Sequence, residues 1–492
     1  MPTLVVVERA EDWPIDLPGV EVVNARRYLT DPAHAGGRGV KVFNLCRRYG
    51  YQSLGYYVSL LGQARGHRPL PSVATLQDLR NRSLVRVMSE DLAEEVQRSL
   101  SPIAGRDFTL SVYFGRNLAK RHQRLASRLF NLFPAPLLRA EFTRRRKSWE
   151  MRSLRVIPAR EIPDRHHDFV VTAAREHFAR RRAAQGSRPL PARWDLAILV
   201  NPEEAEPPSD ERGLKRLVRA AHKVGFDVEI LGPGDYGRIA EFDALLLRET
   251  TSVEHHTYRF ARRAAAEGLV VIDDPESILR CTNKVYLAEA LERARVPIPA
   301  TRIVDRDTLD VLAREMVYPC ILKQPDSCAS RGVVRVDDEA GFLAAARRFF
   351  QDSELLIAQE FLPTDYDWRI GVLEGRPLFA ARYKMVPGHW QIISRDAAGA
   401  VVRYGGTDAV ALEDVPARVV ELALAAAAVV GDGLYGVDLK QRGEECWVIE
   451  VNDNPNLDAD CEDRILGEAL YLRLMQVMLD RLERRKALPG GR

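Results

Sequence analysis

Two apolar runs, "LYGVDLK" and "CWVIEVN", flank the short segment "QRGEE" between residues 434 and 452. A Gly-containing break of that length between runs of β-branched and aromatic residues predicts an antiparallel hairpin. Side chains alternate across a strand, so Glu450 and Asn452 share a face. Simple pairing sets Asp438 across from Glu450. Like charges facing each other over a strand pair repel, and a divalent cation between them removes that cost. Two carboxylates and an amide oxygen are hard donors, suited to Mg²⁺ or Mn²⁺. The competing reading is a solvated acidic face. The flanking Val, Ile, Trp and Leu argue against it, because they predict a half-buried hairpin.

Mg²⁺ held by few carboxylates keeps waters and usually binds substrate phosphates as well. Two lysines are candidates for those phosphates. Lys284 opens a helix after "CTN", and Lys323 interrupts the apolar strand "CILKQ". A lysine in a buried strand is costly unless paired, so an internal salt bridge is the alternative for Lys323. The small-residue loop "PDSCASRGVV", with Ser330 and Gly332, has backbone N–H groups able to close over phosphates. It matches neither the Walker loop nor the dinucleotide fingerprint. In "AQEFLPTDYDWRIGV", Gln359, Glu360, Phe361 and Leu362 end a strand, where backbone groups suit an adenine edge. Asp367 and Arg369 share the next strand's face, and an Arg there stabilises charge on a transferring phosphoryl group.

The 492 residues predict about three domains. Strand and helix signals alternate in the first segment: "TLVVV", "KVFNLC", a helix through Leu54, Tyr57, Val58 and Leu61, then "DFTLSVYFG". Arg-rich material read as helical follows, with "RRRK" at 144–147 and "RRR" at 180–182. That charge reads as a solvated surface, with contact to phosphates or acidic partners as the alternative. "QGSRPLPAR", 185–193, reads as a linker. From Trp194 to Ile272, strands alternate with helices, which predicts a small, mostly parallel sheet. From about Thr282, strands follow in hairpin order. The expected fold class is therefore α/β and α+β multidomain.

Net charge of +3 names no partner. The six cysteines form no C-x-x-C pair, so reduced, packed thiols in a cytoplasmic protein are expected. "MPTLVVVERAEDWP" reads as a strand rather than a signal peptide. No run approaches the roughly 18 apolar residues of a membrane span.

The ordered set from the two lysines through "QEFL", "DWR" and "GVDL…VIEVNDNP" resembles the ATP-grasp superfamily. Within it, residues 194–475 are similar to the RimK-like carboxylate–amine ligases. "KVFNLCRRYGYQSLGYYVSLLGQARGH" resembles the N-terminal domain attached to some RimK-like ATP-grasp proteins. The resemblance implies an N-terminal domain over 1–190, a small pre-ATP-grasp domain over 191–281 and an ATP-grasp domain over 282–485. It implies ATP contacts for Lys284 and Lys323, with Glu360 and Leu362 bracketing adenine and Asp367 near ribose or phosphates. Arg369 would stabilise the acyl phosphate, and Asp438, Glu450 and Asn452 would hold one or two Mg²⁺. Arg248, in "LLLRETTS", is the candidate substrate contact, with a capping or interdomain salt bridge as the alternative.

Two stretches depart from the pattern. The glutamate ligases carry a compact basic segment after the "RYK" strand, and "GHWQIISRDAAGAVVRYGG" stretches that region. Arg403, Gly405 and Gly406 are its counterparts here. Asp458, Asp460, Glu462 and Asp463 make the loop after the metal ligands acidic; it reads as solvated, with repulsion of an acidic acceptor or amine binding as alternatives. Cys46 reads as a packed thiol rather than a nucleophile.

The implied activity is ATP-dependent carboxylate–amine ligation through an acyl phosphate, adding glutamate or another amino acid to a peptide, protein or small molecule. The alternative is an ATP-binding regulatory or scaffold protein without turnover. A third reading makes the Arg-rich segment a ribosome- or RNA-docking surface. Homo-oligomerisation is expected.

Overall fold

The computed structural model describes residues 3–34, 36, 40–80, 92–145, 148–179, 194–326, 332–395 and 401–487. The linker at 185–193, the triplet 180–182, Arg146, Lys147, Cys328 and Ser330 lie outside them. The chain forms two compact units, one of Met1–Ala197 with Gly225–Asp243, the other of Ile198–Val224 with Ala244–Pro489. Of the middle domain expected over 191–281, residues 194–197 and 225–243 group with the N-terminal unit, and 198–224 and 244–281 with the C-terminal unit.

In the N-terminal unit, β1 (Thr3–Val7), β2 (Val20–Asn24), β3 (Lys41–Asn44) and β4 (Arg68–Leu70) form a parallel sheet in the order β2-β1-β3-β4. Alternation along β1 splits its side chains between two cores. Leu4 and Val6 pack with Tyr28, Val42 and Cys46, whereas Val5 and Val7 pack with Phe43, Leu110 and Phe130. Burial raises the Cys46 thiol far above its usual range, as befits a packed cysteine.

A second, antiparallel sheet joins β5 (Asp107–Tyr113), β6 (Leu137–Arg145) and β7 (Ser148–Val156). Its hairpin corrects the expectation of a helical Arg-rich region: helices at Gln123–Leu132 and His167–Ala179 flank it, but Arg139, Arg144, Arg145, Arg152 and Arg155 lie on strands. In "LLRAEF", buried residues recur at Leu138, Ala140 and Phe142, a period of two that fits a strand and not a helix. Acidic neighbours meet much of this charge. Glu161 pairs with Arg139 and Arg155, Glu141 with Arg152, and Glu150 with Arg145.

β8 (Trp194–Leu199) crosses the division at Ala197, and β9 (Phe226–Leu231) belongs to the N-terminal unit. In the C-terminal unit, β10 (Ala244–Leu247) and β11 (Val270–Ile272) pair in parallel. Two antiparallel sheets follow. The first holds β12 (Thr301–Val304), β13 (Cys320–Lys323), β14 (Val333–Val336) and β15 (Leu356–Glu360), in the order β12-β15-β13-β14. The second includes β16 (Tyr366–Leu373) and β17 (Arg376–Lys384). A separate pair, β18 (Ile393–Arg395) with β19 (Val401–Tyr404), precedes its remaining strands, β20 (Thr407–Val410), β21 (Leu434–Arg442) and β22 (Glu445–Asp453). That second sheet runs β20-β17-β16-β21-β22.

One face of the second sheet packs Trp368, Ile370, Val437, Leu439, Val448 and Val451 against Val419, Leu422 and Ala426 of the helix Ala417–Val430. Among the described residues, no helix is long and apolar enough to cross a membrane.

Candidate functional site

Alternation along the same strands sends Asp367, Arg369, Asp438, Lys440, Glu450 and Asn452 to the face opposite that core. Register decides whether they meet. From the hairpin tip, Arg442 pairs with Glu445 and Leu439 with Val448. Continued unchanged, that ladder sets Asp438 against Ile449 and turns Glu450 toward the core. A β-bulge between Asp438 and Leu439 takes up Ile449 as the extra residue, so Asp438 faces Glu450 and Gly436 faces Asn452. Asp438 also pairs with Arg369 on β16. Arg369, Asp438 and Glu450 thus form one row across three strands.

The row is held by charge. Arg369 grips Asp438 with two nitrogens, Nε to Oδ1 and NH2 to Oδ2, the latter at 2.9 Å. Its guanidinium stands over the Tyr383 ring at 5.0 Å, and the Tyr383 hydroxyl donates to Glu462 at 2.6 Å. Lys284 Nζ lies 3.1 Å from Glu450 Oε1. Lys323 Nζ donates to Gln359 Oε1 at 2.7 Å, and Gln359 Nε2 donates to Thr301 at 3.1 Å. Lys440 Nζ donates to Asp367 at 2.6 Å and to Thr364 at 2.8 Å.

Burial raises the Asp438 carboxyl to about 6 even with Arg369 paired to it, and Glu450 pushes it the same way. Burial also works to raise Glu450, but Lys284 and Lys323 outweigh it and hold that carboxyl below its usual range. Burial lowers Lys323 to about 8; Glu450 opposes the shift, while Lys284 and Lys440 add to it.

A cleft opens beside the lysines. Lys284, Lys323 and Gln359 supply its polar edge, and Leu287, Leu291, Ile298, Ile357 and Val448 line its apolar wall. Such a wall suits a flat heteroaromatic ring, with the cations at the end where phosphates would lie.

Glu360 and Leu362, the expected adenine bracket, are not among the residues that line this cleft. Gln359 lines the cleft, whereas Glu360 is exposed and its N–H donates to Ala300 O at 2.9 Å. Leu362 is buried, and the Phe361 ring lies under the Arg335 guanidinium. β15 pairs on both sides, with β12 as far as Gln359 and with β13 as far as Glu360, and Phe361 and Leu362 lie beyond its end. Gly332 holds a left-handed φ of 62°, and its carbonyl accepts from Gln324 N at 2.8 Å.

Two other expected residues are not gathered at the row. Arg403 is exposed on β19. Arg248 is buried, and it donates to Ser209 Oγ at 3.0 Å, Asn454 Oδ1 at 2.7 Å, Pro455 O at 2.9 Å and Pro208 O. Its donors are spent on Pro208 and Ser209 and on the segment after β22. Its place is that of a brace and not of a substrate contact.

The acidic loop is likewise not the solvated feature its composition predicts. Glu462 and Asp463 are buried; Glu462 accepts from Tyr383, Asp463 pairs with Arg216, and Asp460 pairs with Arg212. Lys440 and Tyr383 escaped the sequence reading because each sits near a strand end among polar residues, where a solvated side chain is the default. The one available signal was parity. Lys440 is two residues from Asp438, and Tyr383 lies opposite Asp367.

Residues 25–173 match the family described as the RimK-like ATP-grasp N-terminal domain, and residues 281–456 match the one described as the ATP-grasp domain. The chain carries a RimK-like ATP-grasp N-terminal domain and an ATP-grasp domain. It is similar to a probable alpha-L-glutamate ligase of Xanthomonas axonopodis pv. citri, 27% identical over 266 residues, spanning 50% of this chain and 86% of that protein. A probable alpha-L-glutamate ligase of Shewanella halifaxensis is 22% identical over 254 residues, spanning 51% of this chain and 52% of the relative. Among solved structures, a RimK domain ATP-grasp protein from Sphaerobacter thermophilus is similar at 17% identity and a TM-score of 0.44, covering 58% of this chain and 99% of that one. This RimK-like chain thus matches family models over both its N-terminal segment and the strands that carry the charged row.

Proposed function

We propose that this RimK-like protein is an ATP-dependent carboxylate–amine ligase of the ADP-forming kind. ATP would phosphorylate a substrate carboxylate, and an amine would attack the acyl phosphate and release phosphate. The observation that carries the reading is the single row of Arg369, Asp438 and Glu450, with Asn452 beside it and Lys284 and Lys323 facing it.

The donor set fits a divalent cation. Asp438 and Glu450 face each other in an environment that already raises Asp438, and their protein partners are cations. Asn452 Nδ2 donates to Asp438 Oδ2 at 3.1 Å; turning its amide over would present Oδ1 instead. Asp438, Glu450 and Asn452 would hold Mg²⁺ or Mn²⁺. When bound, the ion would neutralise phosphate charge.

The chain's own residues do the remaining work. Lys284 and Lys323 bind phosphate oxygens. Arg369, fixed by Asp438 and by the Tyr383 ring, offers charge to the transferring phosphoryl group and the acyl phosphate. Asp367 keeps Lys440 in place. The apolar wall around Leu287, Leu291 and Ile357 takes the base. Positioning and charge carry the barrier reduction, with no side-chain nucleophile required. An amino acid donor or acceptor, glutamate first among them, is the proposed substrate on the strength of the relatives' names.

The test is release of ADP and phosphate that depends on added amino acid or peptide. Glu450→Gln is expected to lower turnover by more than about 100-fold while far-UV circular dichroism stays unchanged. Undiminished turnover in that variant would remove the metal assignment, and ATP binding with no substrate-dependent turnover in any pool would favour a non-catalytic role.

A further inference from the structure

The stretch "RETTSVEHH" after β10 carries a second group of donors that the proposed ligation does not use. Glu249 is buried, with 1% of its surface exposed, although no arginine or lysine is found paired to it among the described residues. Two histidines face it instead. His256 Nε2 lies 2.7 Å from Glu249 Oε2, and His255 Nε2 lies 3.9 Å from Glu249 Oε1. One ligand atom from each of the three lies within 4.8 Å of the others.

The surroundings fix these groups in a ligating orientation. Asn201 Nδ2 donates to Glu249 Oε1 at 3.0 Å. Thr257 Oγ1 donates to Thr250 O at 3.4 Å, which leaves the hydroxyl oxygen to accept from His255 Nδ1 at 3.2 Å. With the His255 proton on Nδ1, the Nε2 lone pair is left toward Glu249. An imidazole that donates from one nitrogen to an oxygen partner and keeps the other for a ligand bond is the usual outer-shell arrangement of a metal-bound histidine.

We propose that Glu249, His255 and His256 form a binding site for a borderline-soft divalent cation of the Zn²⁺ class, separate from the all-oxygen set on the hairpin. Two imidazoles and one carboxylate are the donors such ions prefer, and three protein ligands leave a coordination position open for water or substrate. Bonds of about 2.0–2.2 Å around a tetrahedral ion separate its ligand atoms by about 3.4 Å. The His255–Glu249 gap closes slightly to that value and the His256–Glu249 gap opens. Both adjustments are within reach of side-chain rotation. The site is tethered to the hairpin, since Thr251 Oγ1, two residues after Glu249, donates to Asp453 Oδ2 at 2.6 Å at the end of β22. The alternative is a plain ion pair between His256 and Glu249.

The experiment is titration of the full, chelator-treated chain with Zn²⁺, and with Co²⁺ as a spectroscopic probe. Excess Mg²⁺ is kept present throughout and no ATP is added, so the result stands apart from ligase activity. One equivalent of Zn²⁺ is expected to survive dialysis, and Co²⁺ is expected to give the absorption of a low-coordinate nitrogen–oxygen site. His255→Ala and His256→Ala should each weaken binding at least about tenfold. Thr257→Val, which removes only the outer hydrogen bond, should also weaken it, with thermal melts confirming folded protein. No stoichiometric Zn²⁺ in the wild type would overturn the proposal, and so would equal affinity in folded histidine variants.

Discussion

Burial lowers the Lys323 ammonium to about 8, well under the value of about 10.4 for a lysine in an unfolded chain. The sign of its pH dependence follows. Below about pH 8 both states carry the charge, and the folded protein bears the full cost of burying it. Between about 8 and 10.4 the unfolded state binds more protons, so this group's contribution to stability rises with pH. Phosphate affinity goes the other way, because the cation is lost as pH rises through about 8. Nucleotide binding by calorimetry should therefore weaken across that window, and Lys323→Arg should move the loss to higher pH.

Part of this was legible at the level of single residues. A lysine inside "CILKQ" and one carboxylate on each arm of the terminal hairpin stand out against an apolar background. Gln359 was legible as part of a strand end, but its side-chain bonds to Lys323 and Thr301 were not, because they come from the position of β15 between β12 and β13. Arg248 misled for a related reason: an arginine after a strand reads as a ligand contact until its four acceptors are known.

Among the elements, the terminal hairpin decides the site. Its existence follows from two apolar runs and a Gly-containing turn, but its bulge does not, since a one-residue shift leaves composition and alternation almost unchanged. Gly436, between Asp438 and the start of β21, has no room for a side chain. A Cβ there would meet Pro455 Cβ at 2.8 Å and Arg369 Cδ and NH1 at 3.1 Å. Gly436→Ala is expected to displace Arg369 and lower turnover by at least about tenfold, with a stability loss of about 1–3 kcal/mol from overpacking. Steady-state kinetics and urea unfolding of the same preparation separate the two effects. The misread Arg-rich segment is the converse case. Charge density drew attention away from the alternation of Leu138, Ala140 and Phe142.

At the scale of the whole molecule, residues distant in sequence are tied together inside the C-terminal unit. Arg248 joins Pro208 and Ser209 to Asn454 and Pro455, and Arg212 and Arg216 neutralise Asp460 and Asp463. Sequence alternation indicated a small α/β segment before the ATP-grasp strands. It did not indicate that 198–224 and 244–281 would group with those strands, because such grouping depends on long-range bonds with no local pattern. Arg248→Ala leaves several buried acceptors without donors and should destabilise the protein by at least about 2 kcal/mol, measured by urea denaturation. Equal stability would mean that water takes over its bonds.

Ile449 makes the length of the hairpin a question of odd and even. Removing one residue between Arg442 and Ile449 would iron the ladder straight and leave the two acids opposite each other. Removing a second from the same arm would send one acid into the oily side of the sheet unless the other arm also lost one. Natural or designed shortening of this tip should therefore follow that counting rule, whatever residues occupy the turn.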